Sequence, residues 1–112
     1  MTKRRDQQIA DGATHFAKVL TEKAFSQSVI DLARVLGWRV NRTPTWRPTG
    51  TTPGVPDLML VRGKRLVFAE LKAAGGRLSE AQRGWLNALY ATGAEVYIWK
   101  PANWNEIEAT LK

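Results

Sequence analysis

A glycine-lysine dipeptide between two apolar runs is the feature that most restricts how this chain can fold. The segment DLMLVRGKRLVFAELK covers residues 57–72, and Gly63 and Lys64 stand between stretches rich in leucine, valine and phenylalanine. Glycine at the first central position of a two-residue loop favours a type II′ turn, whose twist matches that of two antiparallel strands. The sequence therefore predicts a β-hairpin with strands over residues 57–62 and 65–72.

The predicted turn determines which side chains of the two strands lie opposite each other. With Gly63 and Lys64 as the turn, each step back along the hairpin pairs one further residue, and Asp57 falls opposite Glu70. Directly opposed Cβ atoms lie about 4.5 to 5.5 Å apart, and Lys72 follows on the same face about 6.6 Å along the strand. A three-residue loop would break this register, whereas a four-residue loop would keep it. The sequence therefore predicts two carboxylates and an amine at one end of a sheet.

Two acids at the ends of an otherwise apolar hairpin need an explanation, because ionised side chains are costly to bury unless they are paired or bind metal. Adjacent carboxylates repel each other, so one of them takes up a proton unless a cation lies between them. Oxygen ligands of this kind suit Mg²⁺ or Mn²⁺. The alternative is a simple salt bridge between Lys72 and one acid. The convergence of all three side chains at the predicted register favours the metal site.

Hydrophobic periodicity and turn residues predict the rest of the fold. Apolar residues at three- and four-residue steps predict a helix from Thr21 to a stop at Gly37, and Ser79 begins a second helix that ends near Gly93. The remaining elements are strands over residues 38–42 and 95–99 and a short helix after Pro101. This order of helix, three strands, helix, strand and helix predicts an α/β fold of the mixed-sheet α+β type, with the hairpin at the centre of the sheet.

Two helix starts carry the spacing of a capping box, in which two side chains three residues apart each bond a backbone amide. These pairs are Ser79 with Gln82 and Asn103 with Glu106. The sequence also predicts a core that contains three of the five tryptophans, namely Trp38, Trp85 and Trp99.

A length of 112 residues, with 44% hydrophobic and 24% charged residues, is typical of one soluble globular domain. We expect this domain to span residues 21–112, with residues 1–20 as an N-terminal arm or a short helix. The absence of cysteine excludes disulfides and thiolate metal sites. Residues 6–20 are too polar for a signal peptide, so we expect a cytoplasmic protein.

The charge of the chain favours a polyanionic partner. Basic residues outnumber acidic ones by 17 to 10, and Asp57 is the only acid between Leu32 and Ala69. Each lysine or arginine that neutralises a phosphate releases counterions, so this distribution suits nucleic acid. The alternative is a solvated surface that keeps the protein soluble. The basic residues that we expect to contact nucleic acid are Arg42, Arg47, Lys64, Arg65 and Arg77.

The residues around the two acids resemble a known family. Pro56 and Asp57, followed by Glu70, Leu71 and Lys72, are similar to the PD-(D/E)xK nuclease motif, and the predicted element order is similar to that of its restriction-endonuclease-like core. The wider segment GVPDLMLVRGKRLVFAELKAAGGRLSEAQRGWL resembles the VRR-NUC branch, in its small stand-alone form known from phages and bacteria. The resemblance extends from residue 21 to about residue 104.

This resemblance implies a role for each matching residue. Asp57 and Glu70 would hold the metal, Mg²⁺ or Mn²⁺, with the backbone carbonyl of Leu71 as a further ligand. Lys72 would orient the attacking water or help to deprotonate it. The metal would lower the pKa of that water and stabilise charge on the phosphate oxygens. Family members usually leave a 5′-phosphate.

Two further candidates have alternative interpretations. Glu22 is predicted to lie on the sheet-facing side of the first helix, where the family often places a metal-binding glutamate, but acids are also favoured in a first helical turn by the helix dipole. Gln82 either reaches the site, as the family implies, or only closes the capping box with Ser79.

The sequence therefore predicts a metal-dependent DNA endonuclease. Because symmetric cleavage of two strands needs two catalytic centres, we expect a homodimer, and the stand-alone branch of the family suggests a Holliday junction resolvase. The alternatives are a nicking, flap or restriction-like nuclease, or a non-catalytic nucleic-acid binding module of the same fold.

Overall fold

Three helices and four strands follow one another in the order that the sequence predicts. The computed structural model describes residues 21–44 and 52–112. The predicted N-terminal arm and Arg47 lie outside these ranges. The elements are α1 (Glu22–Val35), β1 (Arg39–Arg42), β2 (Leu58–Arg62), β3 (Arg65–Leu71), α2 (Glu80–Ala91), β4 (Glu95–Trp99), a 3₁₀ turn (Pro101–Asn103) and α3 (Trp104–Leu111). The α/β fold class is confirmed.

The four strands form a single mixed sheet in the order β1-β2-β3-β4. Strand β2 runs antiparallel to both of its neighbours, β1 and β3, whereas β4 is parallel to β3. A parallel neighbour needs a long crossover connection, and α2 provides it. The β2–β3 hairpin is therefore central, as the apolar composition of both its strands predicts.

The hairpin turn has the predicted type and register. Gly63 has a φ of 59°, whereas Lys64, like every described residue other than glycine, does not have a positive φ. A type I′ turn would require positive φ at Lys64 as well, so the turn is type II′. Arg62 pairs with Arg65, and the ladder continues to Leu58 opposite Ala69. Asp57 lies one residue before β2, so the predicted strand starts one residue too early, but the register is confirmed.

One face of the sheet is covered by α1 and α3. Helix α1 buries an apolar stripe at the spacing that a helix requires, consisting of Phe25, Val29, Ile30 and Ala33. The sheet contributes alternate residues of β2 and β3 to the same core, and α3 adds its two buried side chains. These residues are Leu58, Leu60, Val67, Ala69, Leu71, Ile107 and Leu111.

Two predictions about the second half of the chain are wrong. Trp38 and Trp99 are buried, but Trp85 is 38% exposed, and Leu86 is the one buried residue of α2. Asn103 stands at the N-cap position of α3, but its side chain makes no capping bond there, so the predicted capping box with Glu106 is absent. Asn103 closes the 3₁₀ turn instead, where its Oδ1 accepts a hydrogen bond from the amide of Lys100 at 2.9 Å.

Trp38 organises the end of the sheet at which the hairpin turns. Its indole nitrogen donates to the carbonyl of Leu111 at 2.8 Å. The guanidinium groups of Arg62 and Arg65 lie 4.6 and 5.0 Å from its ring centroid. Arg65 also forms a salt bridge with Glu95 at 2.7 Å. These contacts connect α3 to the hairpin. In the described part of the chain, no helix has both the length and the apolar composition that crossing a bilayer requires.

Candidate active site

Asp57 and Glu70 meet at the end of the sheet opposite the hairpin turn. The Oδ2 atom of Asp57 accepts a hydrogen bond from the backbone amide of Leu71 at 2.8 Å. This bond crosses from the residue before β2 to the last residue of β3, just beyond the final ladder pair. The register set by Gly63 therefore brings both acids to the same place, although Asp57 is held by a side-chain bond and not by the ladder.

Glu70 is buried, with 1% of its surface exposed. Its Oε1 accepts a hydrogen bond from Nε2 of Gln82 at 3.2 Å and lies 4.0 Å from Nζ of Lys72. Burial, followed by the neighbouring carboxyl of Asp57, raises the pKa of Glu70 to about 8, while the charge of Lys72 lowers it. The charged form of this carboxyl is therefore disfavoured, because the attraction of one lysine does not offset the loss of hydration and the repulsion of the second acid.

The second carboxyl oxygen of Glu70, Oε2, is buried and has no hydrogen-bond partner. A buried polar atom without a partner is costly, and such atoms are often explained by an ion or a water. The carboxyl group of Asp57 lies next to that of Glu70. Together the two acids offer the oxygen atoms that a hard divalent cation such as Mg²⁺ prefers. Leu71 gives its amide to Asp57, and the role of its carbonyl as a ligand stays a prediction.

A cleft of about 610 Å³ opens beside Asp57. Helix α1 contributes Glu22, Lys23 and Ser26 to its wall, and Gln82 of α2 also lines it. The remaining lining residues are Arg42, Thr43, Pro44, Thr52, Gly54, Val55, Asp57 and Leu58. Asp57 is therefore accessible to a large ligand, whereas Glu70 and Lys72 are not among the residues that line the cleft.

Glu22 faces this cleft, as its predicted role requires, and its charge contributes to the raised pKa of Glu70. Among residues 21–44 and 52–112, however, no three His, Cys, Asp or Glu side chains lie close enough together to hold a metal ion. Glu22 therefore does not complete a three-carboxylate site with Asp57 and Glu70 in this conformation. Thr21 caps this helix, since its Oγ1 accepts a hydrogen bond from the amide of Ala24 at 3.0 Å.

Gln82 makes the contacts that both interpretations require, and its role in the site stays a prediction. The side-chain Oε1 of Gln82 accepts from the backbone amide of Ser79 at 2.8 Å, and the backbone amide of Gln82 donates to Ser79 Oγ at 3.1 Å. These two bonds complete the capping box. The same carboxamide donates through Nε2 to Glu70. The cap therefore fixes the rotamer that reaches the acid.

The basic residues predicted to contact nucleic acid are divided between two ends of the molecule. Arg42 lines the cleft. Lys64 lies in the hairpin turn and Arg65 next to it, about 16 Å along β3 from Glu70 at the usual rise per residue. The guanidinium of Arg65 bonds Glu95 and the carbonyl of Thr110. The structure does not bring these two residues to the acids.

Arg77 is exposed in the connection before α2. The structure adds one cation that the sequence analysis did not select, Lys23, which lines the cleft with Arg42. Its position directly after Glu22, in the first turn of a helix predicted to face the site, is the signal by which it could have been found.

Comparison with known proteins identifies one match. The sequence model of the VRR-NUC domain matches residues 45–102, about half of the chain. The matched segment contains Asp57, Glu70, Lys72 and Gln82, whereas Glu22 lies before it. Searches among curated proteins and among solved structures gave no match.

Proposed function

This chain belongs to the VRR-NUC family of nucleases, and on that premise we propose that it is a metal-dependent endonuclease that hydrolyses phosphodiester bonds in DNA. The observation that carries the proposal is the buried carboxyl of Glu70, which has one unpaired oxygen next to Asp57 and a lysine 4.0 Å from the other oxygen. If Glu70 were only part of a buried structural ion pair, both of its oxygens should have hydrogen-bond partners, as buried polar atoms normally do. An acid that keeps one oxygen unpaired fits a bound ligand better.

In this proposal Asp57 and Glu70 hold Mg²⁺ or Mn²⁺. The cation, when bound, supplies Lewis-acid stabilisation of the negative charge on the phosphate. Gln82 donates to Oε1 of Glu70 and so leaves Oε2 for the ligand. The amide of Leu71 fixes Oδ2 of Asp57 and leaves its other oxygen for the same purpose.

Lys72 is the residue that we assign to the attacking water. Its ammonium group is mostly buried, with 12% of its side chain exposed, beside the acids. A donor at that position can hold the oxygen of a water molecule in line with the scissile phosphorus. Attack by this water forms the new P–O bond while the water gives up a proton to solvent, and the bond to the leaving oxygen breaks as that oxygen takes up a proton from solvent. As in most family members, we expect the 5′-phosphate to remain on the product.

The cleft gives the DNA backbone a path to Asp57. Lys23 and Arg42 line it from two different elements, α1 and β1, and neither forms a salt bridge within the described ranges. Phosphate contacts of this kind position the nucleic acid without reading its sequence. We therefore propose Lys23 and Arg42 as the phosphate contacts nearest to the scissile bond.

For the substrate, our first choice is a four-way DNA junction cut by a homodimer, since one domain carries one centre and symmetric cleavage requires two. Nicking, flap or restriction-like cleavage is the alternative within the same chemistry. A non-catalytic binding module is the alternative outside it, and the presence of Asp57, Glu70 and Lys72 together argues against it.

The decisive experiment is cleavage of labelled four-way junction, flap, duplex and single-stranded DNA, with Mg²⁺ or with EDTA. We expect the junction to be cut in Mg²⁺ but not in EDTA, and we expect Lys72→Met to lose cleavage while it retains DNA binding. Lys112→Met is the matched control, because Lys112 is exposed in the last described turn and lies outside the cleft. Metal-independent cleavage, or full activity of Lys72→Met, would overturn the mechanism.

The homodimer needs a separate measurement. Light scattering at micromolar concentration should give twice the chain mass for the protein alone, or two chains plus the mass of the DNA for its complex with a junction. A monomer that cuts flaps or duplex but not junctions would replace the resolvase with the alternative nuclease, and binding without cleavage of any substrate would favour the non-catalytic module.

A further inference from the structure

Gly54 lies against the backbone of α2 more closely than any side chain would permit. It is buried and has a φ of 94°. A Cβ atom at this position would lie 2.5 Å from the carbonyl carbon of Ala81, 2.6 Å from its oxygen and 2.8 Å from the amide nitrogen of Gln82. Favourable contacts between carbon atoms require about 3.5 to 4.0 Å. Because the obstructing atoms belong to the backbone, a side chain at Gly54 would have to displace the first turn of α2.

The loop that carries Gly54 is also fixed on its other side. The hydroxyl of Thr43 donates to the carbonyl of Pro56 at 2.7 Å, and the amide of Thr43 donates to the carbonyl of Asp57 at 2.8 Å. The short segment from Gly54 to Asp57 is thus held between the end of β1 and the start of α2. A displacement at Gly54 has to be taken up by α2 or by Asp57.

Helix α2 and Asp57 both contribute to the site. The first turn of α2 carries Gln82, whose Nε2 contacts Glu70 at 3.2 Å. We propose that Gly54 is a positioning residue of the site, which sets the distance between the loop of Asp57 and the first turn of α2 and so keeps Gln82 within reach of Glu70. The proposal rests on the proposed nuclease function for its catalytic effect, but the packing that it describes can be measured without cleavage.

The chain contains a matched control. Gly93 has a φ of 87°, close to that of Gly54, but nothing lies within 4 Å of the Cβ that it would carry. Alanine at either position suffers from the same unfavourable backbone conformation. The substitution Gly54→Ala should add the displacement of α2, and Gly93→Ala should not.

The first test uses the folded protein without substrate. In NMR spectra, Gly54→Ala should move the side-chain amide signals of Gln82 toward those of a free glutamine, and Gly93→Ala should leave them unchanged. In urea, the unfolding equilibrium constant should rise about tenfold more for Gly54→Ala than for Gly93→Ala, within the range that strain in a close-packed region produces. Equal effects of the two substitutions on both measurements would overturn the proposal.

The second test asks whether Gly54 acts through Gln82. At substrate saturation and a temperature at which all variants are folded, Gly54→Ala and Gln82→Ala should each lower kcat by about ten- to a hundredfold, with little change in KM. The double variant should be no worse than either single variant, because both changes remove the same contact. Additive losses would overturn the proposal.

If Gly54→Ala does not fold while Gly93→Ala does, the close approach of Gly54 to α2 is supported, and Gln82→Ala alone tests the catalytic part. Full activity of that variant would overturn it. If the wild-type protein cuts no DNA, the nuclease proposal fails, but the NMR and urea comparisons still test the packing role of Gly54.

Discussion

At the scale of single residues, Glu70 is the one acidic or basic side chain that is buried in the described part of the chain. It has a second acid beside it, and one of its oxygens has no partner. The nearby ammonium of Lys72 lies at 4.0 Å, which is long for a direct hydrogen bond. The free protein therefore stores an unfavourable interaction at this position, which a bound cation would relieve.

The raised pKa of Glu70 predicts how the stability of the metal-free protein depends on pH. The pKa is about 8 in the folded chain and near 4.5 in the unfolded one. Between these values the folded state binds the extra proton, so stability falls as pH rises, by at most about 1.4 kcal/mol per unit. Urea unfolding in EDTA from pH 5 to pH 8 should show this decline, and Glu70→Gln should remove most of it.

The same measurement includes a test of the cation. Adding Mg²⁺ at pH 8 should raise the free energy of unfolding of the wild-type protein, because only the folded state offers the two acids together. Glu70→Gln should respond much less. A decline with pH that is identical in both proteins would show that another group is responsible.

At the scale of elements, local rules explain what the sequence could predict. The type II′ turn at Gly63 fixes the hairpin register, and this register determines where Glu70 lies. The contacts that complete the site are not local. The bond from Leu71 to Asp57 and the approach of Gly54 to α2 depend on how helices and strands pack against each other. The spacing of residues in the sequence does not predict this packing. The exposure of Trp85 was mispredicted for the same reason, since periodicity does not state how much of a helix face is covered.

The Ser79 cap of α2 should stabilise both the protein and the first turn of the helix. Ser79→Ala removes the acceptor of the Gln82 amide, so it should lower the free energy of unfolding by about 1 kcal/mol. Hydrogen exchange should accelerate in the first turn of α2. Thr21→Ala removes the equivalent acceptor from α1 and should cost about as much stability, again about 1 kcal/mol, without affecting exchange in α2. Faster exchange in α2 for both variants would contradict a local role for the cap.

At the scale of the whole molecule, the two ends of the sheet have different tasks. At the turn end, Arg62 donates to the carbonyls of Leu36, Leu111 and Lys112, and Arg65 is engaged with Glu95. Those arginines hold the fold together. At the other end, Lys23 and Arg42 line the cleft beside the acids. A net charge of +7 is therefore not a uniform coating, and in our proposal the cations that contact DNA are those that line the cleft.

This division predicts how DNA binding depends on salt. In EDTA, Lys23→Ala and Arg42→Ala should each weaken binding and reduce the slope of log K against log salt by about 1, the effect of losing one phosphate contact. Arg34→Ala removes the same charge from an exposed position in the last turn of α1, outside the cleft, and should change the slope little. Fluorescence anisotropy with labelled DNA measures all three. Equal slopes for the three variants would mean that binding depends on total charge alone.

The tight turn at Gly63 also affects the order in which the site is assembled over time. Strands β2 and β3 are joined by two residues, whereas β4 pairs with β3 across a connection that contains the whole of α2. Hairpins close within about 1 to 10 μs, and contacts between distant parts of a chain form more slowly. We therefore expect Asp57 and Glu70 to become neighbours early in folding, and Gln82 and Gly54 to reach them last. The parts of the site that need the finished fold are those that are completed latest.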